Sequence, residues 1–191
     1  MNPVLRIVVV VCGLIAIVGG IMQMKKGFGE MKMDPEVERL SKESDESFTA
    51  ANKQLAEAGT LFQSVLDAVD KDGLPAVRTQ KRESVEKAAT LYEEASQKLR
   101  QAAQKADDAA AKKPGEKLEE FLKTKAGAYR EFAAAREINR DIARMILDET
   151  IKTGEELVAK VTDPAARRDK LEASATEAAA RADKLVQDSK K

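Results

Sequence analysis

At 191 residues the chain has room for one membrane segment and one medium-sized domain. Lys plus Arg and Asp plus Glu both number 33, so no bulk field would draw nucleic acid or an acidic substrate. There is no His and a single Cys, which excludes Ser-His-Asp and Cys-His catalysis, His-ligated zinc, Glu-x-x-His di-iron sites, an intrachain disulfide and a C-x-x-C redox pair.

The first element is "VLRIVVVVCGLIAIVGGIMQMKKG", Val4 to Gly27. From Ile7 to Met24 it runs 18 residues without a charge, or about 27 Å of helix, close to the thickness of a bilayer's hydrocarbon. Arg6 stands at one edge and Lys25 and Lys26 at the other, where long cationic side chains reach the headgroups. A core helix of a soluble domain shows a polar face, and this run shows none. A cleaved export signal is the competing reading. Val18-Gly19-Gly20 is a passable cleavage sequence, but the apolar run continues past it. Cys12 has Val11 before it and lies mid-run, which speaks against lipid attachment. Residues 1–26 are therefore expected to be a retained single-pass anchor, in contact with the bilayer through 4–24, and a bacterial inner membrane is the expected location.

Cys12, Ala16 and Gly20 recur every four residues, a spacing that lets two transmembrane helices pack closely. The abundance of Gly in membrane helices in general is the alternative explanation. Orientation is balanced. Lys25, Lys26, Lys32 and Arg39 favour a cytoplasmic bundle, whereas a short amino-terminal tail with one Arg often stays inside and sends the rest across.

Residues 27–34 form a connector, and Asp34-Pro35 reads as an N-cap followed by Pro at the first helical position. Beyond it the apolar residues keep heptad spacing, which a disordered chain of the same composition would not. Phe48, Leu55, Phe62 and Val69 are seven apart, with Ala51, Ala58 and Val65 between them and Ser44 off pattern. The next seam pairs Val85, Tyr92, Leu99 and Ala106 with Ala88, Ala95, Ala102 and Ala109. Such a seam of large residues and Ala brings helices close together. A third helix carries a wider apolar face from Leu118 to Ile146, suited to two neighbours. The fourth shows Leu171, Ala175, Ala178, Ala182 and Leu185. Breaks at 72–75, 113–115 and 162–164 give helices of about 35–71, 75–112, 116–161 and 164–189. A further break at Thr153-Gly154 is the alternative to an unbroken third helix, since Thr153 and Glu156 have capping-box spacing. Short loops between long helices imply antiparallel neighbours. The fold class expected for 35–191 is all-α, a long three- to four-helix antiparallel bundle with coiled-coil-like packing.

No constellation of catalytic residues emerges. The acidic pairs Glu93-Glu94, Glu119-Glu120 and Glu155-Glu156 point about 100° apart on a helix and sit among Lys and Arg, as on a solvated face. The basic cluster at 165–170 and Lys190-Lys191 lack aromatic interleaving, so no nucleic acid partner is expected. Lys81, Arg136 and Asn139 fall on or beside the apolar stripes. They are the candidate polar core or partner-specifying positions, against the plain alternative that they sit at a stripe's edge and reach water. The expectation is a non-enzymatic scaffold or protein-interaction module, without cofactor, acting by self-association or by a protein partner. The alternatives are a small-ligand-sensing bundle and a stress-protective helix former.

Overall fold

In the computed structural model the described residues, 34–188, form four helices and no strand: α1 (Pro35–Gln80), α2 (Arg82–Ala111), α3 (Glu116–Leu147) and α4 (Gly154–Asp188). The apolar segment with Cys12, Ala16 and Gly20 lies outside the described residues. Among the described residues no helix is long and apolar enough to cross a membrane.

Asp34 starts α1 as the sequence suggests, its carboxylate accepting the Glu36 amide at 2.8 Å with Pro35 in the first turn. The chain then reverses inside the stretch named α1. Gly73 has φ 80° and ψ 165°, outside helical space and in a region that only Gly enters readily. Across the reversal Glu43 meets Lys105 at 2.7 Å, Glu57 meets Lys87 at 2.7 Å, and Ser64 meets Lys81 at 3.5 Å. Those pairings centre the hairpin on Gly73. Residues 74–80 are thus the first two turns of the descending arm, which bends at Lys81 and continues as α2. Hydrogen bonding persists through the bend, from Lys81 N to Val77 O at 2.8 Å and from Val85 N to Lys81 O at 3.0 Å.

The descending arm stops at Lys113, whose φ of 52° and the φ of 105° at Gly115 turn the chain into α3. Arg100 with Glu137 at 2.6 Å and Arg144 with Glu93 at 2.9 Å fix α3 antiparallel to α2. Ser174 donating to Glu131 at 3.0 Å and Arg168 donating to Asn139 at 3.4 Å do the same for α4 on α3. The described residues form a packed up-down-up-down bundle, with the start of α1 and the end of α4 at one end, hereafter the base.

Two boundaries differ from the sequence reading. The third helix does not run to 161; it ends at Leu147. Asp148 folds back to accept both the amide of Thr150 at 2.9 Å and its hydroxyl at 2.6 Å. Ile151 is fully buried. Arg78 of α1 donates to the carbonyls of Ile146 (2.8 Å), Asp148 (2.6 Å) and Ile151 (2.7 Å). One guanidinium thereby satisfies carbonyls that a helix end would leave orphaned. The fourth helix begins ten residues before the expected 164. The Thr153 hydroxyl accepts the Glu156 amide at 3.1 Å, and Glu156 accepts the Lys152 amide at 2.6 Å. Asp163-Pro164 does not open this helix but lies within it. Leu157, Val161, Ala165 and Arg168 keep one buried face across the proline, and that continuity offsets a missing backbone hydrogen bond.

The core follows the seams. Ala51, Ala58, Ala88, Ala95, Ala102, Ala106 and Ala109 are all fully buried. Phe48 stacks on Tyr129 with centroids 4.8 Å apart, and Phe62 meets Tyr92 edge-on at 6.0 Å. A second apolar cluster at the base joins all four helices through Val37, Leu40, Ala109, Leu118, Phe121 and Val186.

Candidate functional site

Two of the three polar positions singled out in the sequence lie in the interior. Arg136 and Asn139 are each 1% exposed, on the face that α3 turns toward α4. Lys81 is half-buried at the bend before α2, and its ammonium reaches the Ser64 hydroxyl at 3.5 Å. It caps the outside of the hairpin and does not join the other two.

The layer around Arg136 is completed from α4. Glu172 accepts a hydrogen bond from the Arg136 guanidinium, forming an ion pair whose carboxylate side chain is 15% exposed. One helical turn away Arg168, only 2% exposed, donates to Asn139 Oδ1 at 3.4 Å and to Asp169 at 2.6 Å. Burial pulls the Arg136 guanidinium below the usual arginine range, opposed first by Glu172 and then by Tyr92. Arginine nonetheless remains charged in proteins. The layer brings two guanidiniums into the bundle against one half-buried carboxylate and one nearer the surface. Arg136 Nε and Asn139 Nδ2 are buried without a protein hydrogen-bond partner, and each such group costs about 1–3 kcal/mol. An apolar layer of the same volume would be at least as stable. What the polar layer adds is alignment: Arg136 meets Glu172 and Asn139 meets Arg168 in only one axial setting of α4.

A second buried charge lies nearer the base. Lys125 of α3 is 8% exposed and ion-paired with Asp45 of α1. The sequence reading missed Lys125, Asp45, Arg168 and Glu172. Spacing held the signal for two of them. Lys125 lies seven residues from both Leu118 and Phe132, and Arg168 seven from both Val161 and Ala175. Ser44, read as off pattern, is fully buried and donates to the Ala102 carbonyl at 2.8 Å.

An open groove of about 470 Å³ runs between α3 and α4 toward the base, over Gly127 and Ala178. Glu120, Glu131, Arg181 and Lys184 rim it, a lining more charged than a small-molecule pocket usually has. Among the described residues no three His, Cys, Asp or Glu side chains converge as metal ligands would. Comparison with family models, with curated proteins and with solved structures finds no match for this chain.

Proposed function

We propose that this chain is a single-pass membrane protein whose bundle works by contact, through self-association or a bound protein partner, without catalysis. The observation that carries the reading is the uncharged run Ile7–Met24, which ends ten residues before the Asp34-Pro35 cap of α1. The fold supports it, because α1 enters the bundle at the base and the base would face the bilayer. The surface supports it too. The apolar side chains larger than Ala are buried or half-buried along the described helices, so contact would be made through charged faces or through the anchor. Cys12, Ala16 and Gly20 are the residues proposed to pair two anchors.

Oxidative cross-linking in membranes tests self-association directly, because Cys12 is the only thiol. A mild oxidant is expected to give a covalent dimer on a non-reducing gel, and Gly20→Ile should reduce its yield severalfold. A chain that stays monomeric under oxidation would remove the self-association arm and leave a heterologous partner as the contact.

A further inference from the structure

The groove between α3 and α4 has two features that the bundle itself does not use. Its floor carries Gly127, in the middle of α3, where glycine weakens a helix relative to Ala. The backbone there needs no positive φ. A Cβ at Gly127 would meet no atom within 4 Å, so no close approach among the described residues calls for glycine. The second feature is charge. Glu120 and Glu131 stand on the α3 wall and Arg181 and Lys184 on the α4 wall, with Asp188 at its base end. Glu120, Arg181 and Lys184 are exposed, and among the described residues none of the three is in an ion pair. Neighbours outside the groove are matched, Lys123 with Glu119 and Arg130 with Asp107. One wall is thus acidic and the other mainly basic.

We propose that a second copy of the chain docks here, groove to groove, about a two-fold axis parallel to the helices; this rests on the reading above that the chain is anchored and self-associates. Such an axis lays α3 of one copy against α4 of the other, so the acidic wall of each meets the basic wall of its partner. A two-fold axis across the helices would set α3 on α3 and α4 on α4, like charge against like. Height agrees with sign. Lys117 reaching the Asp188 carbonyl at 3.5 Å and Ser174 donating to Glu131 at 3.0 Å fix how α4 lies along α3. They place Lys184 level with Glu120. A parallel axis keeps heights, so Glu120 of each copy faces Lys184 of the other, and Gly127 lets the facing helix come close. Two anchors in one bilayer require the same arrangement, with both bases toward the membrane. Charge and anchorage therefore select one axis on separate grounds.

Cross-linking of the full chain in membranes tests this in a Cys12→Ser background, so that the anchor thiol plays no part. Thr124→Cys, in the groove, is expected to give a covalent dimer with a short bis-maleimide, and Ala56→Cys, on the exposed face of α1, is not. Glu120→Lys should cut the dimer yield severalfold, and adding Lys184→Glu should return it. Gly127→Leu fills the groove floor and should abolish the dimer, while circular dichroism in detergent shows an intact helical fold. No dimer from Thr124→Cys would overturn the proposal; if Cys12 of the natural chain still cross-links on oxidation, pairing through the anchor stands without it. An unchanged yield in Glu120→Lys or in Gly127→Leu would overturn it as well.

Discussion

Glu172→Leu is expected to cost the bundle about 3–5 kcal/mol in urea unfolding, and adding Arg136→Met to it should return stability to the wild-type value or above. The first effect arises because Arg136, 1% exposed, has Glu172 as its charged partner. Removing the carboxylate leaves a guanidinium in the interior with no route to water. The second arises because a thioether and an isobutyl group fill similar volume, need no partners and leave no charge to desolvate. The double variant should nevertheless lose definition in how α4 is set along α3, since Asn139 with Arg168 would be the only polar contact left at that level. A broadened transition with a lower denaturant slope would report that loss. If Glu172→Leu alone proves neutral, the pair is not buried as described and the layer has no aligning role.

Ala95→Leu is expected to destabilise by about 3 kcal/mol, the upper part of the range for overpacking. Ala95 is fully buried in a seam with Ala88 and Ala102, on the arm that lies between α1 and α3. Three extra carbons there cannot turn toward water, so helices must separate along a seam set by methyl groups. Ala56→Leu, on the exposed face of α1, supplies the control and should change stability by less than about 0.5 kcal/mol. Urea titration of both variants separates seam packing from helix propensity, because Ala and Leu are both good helix formers.

The same residues show how far the fold could be read without coordinates. Alternating large residues and Ala at heptad spacing specify which faces meet, and the alanine tracks of α1 and α2 are buried along their length. The reversal at Gly73 was legible because a glycine two residues before a proline has few other uses between two amphipathic runs. The end of α3 was not. The capping-box spacing of Thr153 and Glu156 did mark where α4 starts, but nothing local marks Leu147 as the end of α3, and the group that clasps that end, Arg78, comes from about 70 residues earlier. Asp163-Pro164 misled for a related reason: a cap signature is a local preference, and a continuous buried face across it outweighed that preference. At the candidate site, Arg136 and Asn139 stood out by lying on the apolar stripe. Their α4 partners did not, because the seam of α4 was traced only from Leu171 onward; its Ala175, Ala178 and Ala182 are buried, but the track continues back through Arg168 and Val161. Asp45 flanks its seam, and only the packing of α3 on α1 sets it against Lys125.

The central claim is an anchored bundle, and alkaline extraction of membranes tests it most directly. The full chain is expected to stay with the membrane pellet at high pH, whereas a chain beginning at Gly27 should be released and should melt as one cooperative helical unit. Release of the full chain, or retention of the shortened one, would contradict the assignment of membrane attachment to residues 4–24.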